Sequence, residues 1–283
     1  MEESGTRTGT HASGARWTQG GGQPLLKWAG GKRKLLSNIL PLLPDRSGRY
    51  FEPFLGGGAV FFAYRPAEAV LSDLNPELIN CYRQIKRRPH AVIDGLRAFK
   101  NNERTYYKIR AWVPNNNLDR AVRLIYLTSL SFNGIYRQNL SGVFNVPYGY
   151  KTSFNIHNPD RILSASTVLQ SAFLRCGDFE ESTKDARRGD VIYLDPPYTV
   201  AHSNNGFVKY NARIFSWEDQ ERLARVARGL AQRGCVVVVS NADHPSIISL
   251  YSEFRLVRVA RASVISAASS YRKQITECLF CGS

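Results

Sequence analysis

The residues best suited to chemistry are Asp195-Pro196-Pro197-Tyr198, directly after the four-residue apolar run Val191 to Leu194. An acid, two rigid carbonyls and an aromatic ring in that order suit the exocyclic amine of a base. Such an amine is a weak nucleophile, because its lone pair is delocalised into the ring. The Asp195 carboxylate can accept one N–H, and a carbonyl of the Pro196-Pro197 segment the other. The lone pair then points outward. Proline fixes φ and so holds that carbonyl still. Tyr198 can stack on a base turned out of its helix. A plain proline-rich strand exit accounts for the same residues without any chemistry.

Two further segments could hold a ligand beside this one. Phe54-Leu55-Gly56-Gly57-Gly58 follows a short strand and precedes a helix. Glycines there let backbone approach a ligand closely and adopt positive φ. Asp73 lies seventeen residues after Gly56, near the offset of an acid that bonds ribose hydroxyls. A simple turn explains the glycines as well, and nicotinamide cofactors share this geometry. Leu26-Lys27-Trp28-Ala29-Gly30-Gly31-Lys32 can cradle an anionic or zwitterionic ligand, or be a basic loop. It lacks the spacing of a phosphate-binding P-loop.

These segments need a sheet to hold them. Arg49 to Pro53, Ala69 to Ser72, Val191 to Leu194 and Cys235 to Val239 are predicted strands, and Val168 to Leu174 leads into another at Cys176-Gly177-Asp178-Phe179. Continuous apolar runs suit strands buried on both faces of a mostly parallel sheet. Ala59 to Tyr64, Pro76 to Arg87, Leu118 to Leu130 and Trp217 to Leu230 are predicted helices, the last with Ser216 as its N-cap. Phe254 to Ala260 and Gln274 to Cys281 are expected to pair antiparallel at the end. Strand, glycine turn, helix and strand with a terminal acid make a nucleotide-binding half of an α/β sheet. Between the halves, Ser131 to Lys151 is dense in Asn, Gly, Tyr and Arg and reads as an exposed recognition loop or hairpin.

Composition narrows the partner. The chain has 283 residues, 43% of them hydrophobic, enough for a large core. Lys and Arg outnumber Asp and Glu by 38 to 23, a net charge of +15 that suits a polyanion such as nucleic acid. Five cysteines fit no disulfide framework, and Cys278 and Cys281 read as positions in an apolar strand rather than a metal or redox motif. No metal is expected. No apolar run reaches the roughly 18 residues of a membrane helix. Residues 1–22 read as a disordered tail without a signal peptide, so a cytoplasmic, soluble protein with no membrane contact and no obligate protein partner is expected.

Taken together, Lys27-Trp28-Ala29-Gly30-Gly31-Lys32, the Gly56 loop, a recognition insert and then Asp195 to Tyr198 resemble the Dam-type, D12-class DNA adenine methyltransferases. The resemblance runs from about Pro24 to Phe280. It implies a Rossmann-like S-adenosylmethionine-dependent methyltransferase sheet with an inserted, mainly helical target-recognition domain and hairpin. Residues 23–85 and 156–283 would form the catalytic domain, and 86–155 the DNA-binding one. The implied reaction moves a methyl from S-adenosyl-L-methionine to the N6 amine of a flipped adenine in duplex DNA.

The resemblance also implies residue roles. Trp28, Lys32, Asp73 and Asp195 would contact S-adenosylmethionine, with Phe54, Gly56 and Gly58 near its methionine part and Asp178 and Phe179 near its adenine. Asp195, Pro196, Pro197 and Tyr198 would receive the target adenine. Phe132, Asn133, Arg137, Asn139 and the Phe144 to Gly149 stretch, Pro147 included, resemble the hairpin of members that methylate GATC, and Lys27 would also touch DNA. There, the residue matching Arg137 reads a guanine. Gln138, Ser141 and Val143 depart from the best-known GATC enzymes, and the loop after Gly149 is one residue shorter. The implied target is therefore GATC or a related short site. An RNA adenine methyltransferase and a catalytically silent DNA-binding protein are the alternatives.

Overall fold

The computed structural model describes residues 26–45, 47–134, 136–139, 142–151, 158–199, 215–262 and 274–283. The expected tail at 1–22 and the departure at Ser141 lie outside the described residues. Seven strands form one sheet: β1 Tyr50–Glu52, β2 Ala69–Asp73, β3 Ala172–Cys176, β4 Val191–Leu194, β5 Val236–Ala242, β6 Arg255–Ala262 and β7 Gln274–Gly282. Their order is β3-β2-β1-β4-β5-β7-β6. The first five pair in parallel, and β7 runs antiparallel to both β5 and β6. That is the Rossmann-like methyltransferase sheet expected from the sequence.

The parallel strands put their carboxyl ends on one edge, with the order reversing between β1 and β4. Ligands bind at such a reversal. The Gly56 turn, Asp73, Asp178 and Asp195 all open there. The antiparallel β7 starts on the same edge, with Asn241 opposite Cys278 and Ala242 opposite Glu277. Cys278 and Cys281 are thus strand residues.

Side chains alternate between two cores. Tyr50, Val191, Tyr193 and Val238 face one cluster, while Phe51, Ile192, Leu194, Val237 and Val239 face the other. The second is covered by α9, Trp217–Gln232, through Leu223, Ala224, Ala227 and Leu230, and by the short α10, Pro245–Leu250. The first is covered by α1 Leu36–Ile39, α2 Ala59–Tyr64, α3 Pro76–Arg87, α6 Asn117–Leu130 and α7 Pro159–Leu169, with α4 Pro89–Arg97 and α5 Glu103–Ala111 continuing it outward. The small α8 is Phe179–Thr183.

Caps set the boundaries that the sequence suggests. Asn75 accepts from Glu77 N and Leu78 N, Pro76 opens α3, and Lys86 and Arg87 complement the helix dipole at its end. Ser216 and Asp219 form a reciprocal capping box on α9.

The structure departs from the sequence reading in three places. Val168 belongs to α7 rather than leading a strand, because Asn158 caps that helix and Pro159 opens it. The β5 strand does not stop at Val239 but carries Ser240, Asn241 and Ala242 along its pairing with β7. The polar stretch 131–151 is not wholly exposed. Phe144, Val146 and Tyr148 point inward and join the first core. Alternation hides them from a reading that averages polarity. Among the described residues, no helix is long and apolar enough to cross a membrane.

Candidate active site

The β4 strand is buried throughout and delivers Asp195 to the sheet edge. The Asp195 side chain is 17% exposed, and its Oδ1 lies 2.9 Å from Lys32 Nζ. Lys32 is only 6% exposed. It enters from the 3₁₀ turn Lys32–Leu35 and also donates to Gly30 O at 3.2 Å. A second carboxylate, Glu277 Oε2, lies 3.4 Å from the same ammonium. Burial works against the charge on Lys32, but Asp195 and Glu277 outweigh it, so its pKa is raised. The ammonium stays protonated, with three protein oxygens around it.

Tyr198 is fixed by the same group. Its hydroxyl donates to Glu277 Oε2 at 2.7 Å and sits 3.4 Å from Ser240 Oγ. Lys32 Nζ lies 4.6 Å from the ring centroid and so covers one face of the ring. Burial, then the carboxylates of Asp195 and Glu277, keep the phenol neutral. The prolines between are held from the other side. Buried Gln220 on α9 donates its amide N–H to Pro197 O and to Thr199 Oγ1, both at 3.1 Å. Asn241 Nδ2 in turn donates to Gln220 Oε1 at 3.0 Å. Pro197 O is thus engaged. Among the described residues, none donates to Pro196 O.

The glycine turn lies next to this cluster. Gly56 and Gly58 have φ of +47° and +65°, which residues with a Cβ adopt at a cost. Gly56 N donates to Asp73 Oδ2 at 3.0 Å, and Asp73 Oδ1 accepts from Asn75 N at 2.9 Å. Burial raises the pKa of Asp73, and these two hydrogen bonds oppose that shift. A Cβ at Gly56 would fall 3.0 Å from Trp28 Cδ1. Trp28, the glycine turn and Asp73 therefore form one cradle. Phe54 stacks on Phe179 with centroids 5.4 Å apart and meets Phe215 edge-on.

Asp178 makes contacts of its own. It caps α8 through Glu180 N and pairs with both terminal nitrogens of Arg222, at 2.7 and 2.8 Å. Those Arg222 bonds hold its carboxyl below the usual range. Arg222 lies over the Phe179 ring, 4.2 Å from its centroid.

The hairpin supplies the remaining candidates. Phe132 is 54% exposed, and Asn133 beside it has φ of +54°. Phe132 N donates to Pro147 O at 2.9 Å, tying the two arms. Asn139 closes the tip: its N donates to Val143 O, and its Oδ1 accepts from Val143 N, both at 2.9 Å. Arg137 is exposed, with Nε donating to Asn145 Oδ1 at 3.0 Å.

The hairpin also touches the Trp28 segment. Trp28 stacks on Tyr136 at 4.8 Å and 17°. A Cβ at Gly134 would sit 2.6 Å from Lys27 Cδ, so only glycine lets Lys27 pass. Lys151 donates to Ser129 O and Ser131 O at the base of the hairpin. Burial, and then Lys27, push its pKa down to about 8.

Four of these contacts were not in the sequence reading. Glu277 left a faint signal as a lone carboxylate in an apolar strand, since buried polar residues are the informative ones. Ser240 and Asn241 were visible only as the polar end of an apolar run. Gln220 left none, because a glutamine in an amphipathic helix looks like surface.

Comparisons with known proteins show the family. A model of the family described as D12 class N6 adenine-specific DNA methyltransferase matches residues 28–265. A Type II methyltransferase of Lactococcus lactis subsp. cremoris is 38% identical over 265 residues, covering 90% of this chain and 93% of that protein. A Type II methyltransferase of Methanocaldococcus jannaschii is 32% identical over 275 residues, covering 89% and 95%. A DNA adenine methylase of Escherichia coli is 34% identical over 262 residues, covering 90% and 93%.

Proposed function

Since this chain belongs to the D12 class of N6 adenine-specific DNA methyltransferases, we propose that Asp195, Pro196, Pro197 and Tyr198 form its adenine pocket and that Trp28, Lys32, Phe54, Gly56, Gly58, Asp73, Asp178 and Phe179 surround its cofactor. The enzyme is an S-adenosylmethionine-dependent DNA methyltransferase. The observation that carries the residue assignment is the buried knot of Lys32, Asp195, Glu277 and Tyr198 at the end of β4.

The cradle fits the cofactor. Asp73 keeps lone pairs beyond its two backbone bonds, enough for ribose hydroxyls. The turn at Gly56 and Gly58 brings backbone close, and Trp28 walls it. When bound, S-adenosylmethionine supplies a methyl on a positively charged sulfur that is a good leaving group. Asp195 accepts one N–H of the target amine. Pro196 O accepts the other, since no described residue donates to it while Gln220 donates to Pro197 O. Tyr198 stacks the base on the face opposite Lys32. These groups fix the amine for in-line attack, and positioning supplies most of the rate. Asp195 then faces the positive charge that arrives on the nitrogen.

Residues 86–155 are proposed as the DNA-reading part, inserted between catalytic segments 23–85 and 156–283. Phe132 would wedge into the stack, with Asn133 at the orphaned partner base. Turning the adenine out costs a few kcal/mol, which such contacts offset. Arg137 would read a guanine, with Lys27, Asn139 and Pro147 along the duplex. The target proposed is GATC or a related short site.

The test is transfer of labelled methyl from S-adenosylmethionine to unmethylated duplex DNA, followed by mapping of the modified adenines. One short motif is expected, and Asp195→Ala should abolish transfer while the protein stays folded. A folded, active Asp195→Ala enzyme would sink the assignment.

A further inference from the structure

Glu277 is 1% exposed and sits on β7, opposite Ala242 on β5 and Val259 on β6. Burying a carboxylate is costly unless it is paired and hydrogen-bonded. Glu277 meets that cost at the proposed adenine pocket. Glu277 Oε2 takes the Tyr198 hydroxyl at 2.7 Å and lies 3.4 Å from Lys32 Nζ. Lys32 also holds Asp195 Oδ1 at 2.9 Å. Two carboxylates therefore share one ammonium.

This sharing has two effects. A lysine paired with Asp195 alone would draw its full charge onto the group that must accept the amine's hydrogen. Glu277 divides that charge. The hydroxyl bond also anchors the tip of the Tyr198 side chain, and Lys32 occupies one face of its ring.

We propose that Glu277 is a positioning residue for methyl transfer, setting the Tyr198 ring and the Lys32–Asp195 pair as a unit. The proposal rests on the reading of Asp195 to Tyr198 as the adenine pocket. Its effect belongs to the chemical step rather than to binding.

The test compares Glu277→Gln, Tyr198→Phe, the double variant and Asp195→Ala in the full-length protein. Glutamine keeps the size and one acceptor but removes the charge. Single-turnover methyl transfer should fall about tenfold or more in Glu277→Gln. The KM for S-adenosylmethionine should stay within about threefold, and 2-aminopurine at the target position should still brighten when flipped. The double variant should lose little beyond the worse single, since both cut one network.

A Glu277→Gln enzyme that folds and transfers methyl at the wild-type rate would overturn the proposal. So would losses that simply add. If Glu277→Gln does not fold, Tyr198→Phe decides. It cuts the same bond from the other end, so a slowed chemical step supports the proposal and a wild-type rate defeats it. Asp195→Ala separates the two levels. If it is active, the adenine pocket itself is misassigned. If it is dead while Glu277→Gln is unimpaired, only the role of Glu277 fails.

Discussion

Arg137, the proposed guanine reader, is held by one of its own nitrogens. Its Nε is held by Asn145 Oδ1, which fixes the plane of the guanidinium while the residue stays exposed. A planar fork suits the two acceptors of a guanine edge, worth about 1–3 kcal/mol of discrimination. Arg137→Ala should therefore lower the preference for the cognate site over a guanine-substituted one by about tenfold or more, with general DNA affinity changed only a few-fold. Competition methylation on the two duplexes measures it. Equal loss on every sequence would make Arg137 a phosphate contact instead. Arg137 and Asn145 both lie in the stretches that carry the family resemblance. The bond between them was not legible, since it joins two arms eight residues apart.

Glu52 joins two elements. At the end of β1 it accepts from Tyr50 Oη at 2.8 Å and from Phe61 N in α2 at 3.0 Å. Burial pushes its pKa up from 4.5 to about 8 despite those bonds. The folded protein thus holds a proton that the unfolded chain gives up near 4.5. Stability from this group is full below that pH and is lost as pH rises towards about 8, by at most about 1.4 kcal/mol per unit. Glu52→Gln cannot ionise and should lack this slope. Chemical denaturation at about pH 5 and about pH 9 tests it. A gap between wild type and variant that is equal at both values would refute the sign. The elements themselves were mostly readable. The α2 and α3 bounds follow from Pro76, Asn75 and the glycine turn. The α4 and α5 helices were not singled out, because nine-residue helices bury too few periodic positions to stand out.

For the whole molecule, the net charge of +15 gathers partly around the hairpin, where Lys27 and Lys151 stand close enough to repel. DNA affinity should then depend strongly on salt. With about six phosphate contacts it would fall by roughly 10³ between about 50 and about 200 mM salt. A filter-binding or anisotropy series gives the slope. A flat response would mean that the basic surface serves another purpose. The hairpin is tied to the Trp28 segment by the Trp28–Tyr136 stack and by Lys27 against Gly134. The proposed DNA-reading hairpin and the proposed cofactor cradle are thus in direct contact.

The sequence by itself determined the sheet and the chemistry. Apolar runs that end in an acid or a glycine turn are local patterns, and the local pattern dictates a buried parallel strand with a site at its exit. The Asp195 to Tyr198 segment, the Gly56 turn and Asp73 could be read for that reason. Only the tertiary structure decided which groups meet. Glu277 lies 82 residues after Asp195, and Gln220 lies on a helix across the sheet. Their roles arise because β7 runs antiparallel beside β5 and because α9 packs beneath the prolines. Contacts of that kind depend on strand order and direction, which no short stretch of sequence encodes.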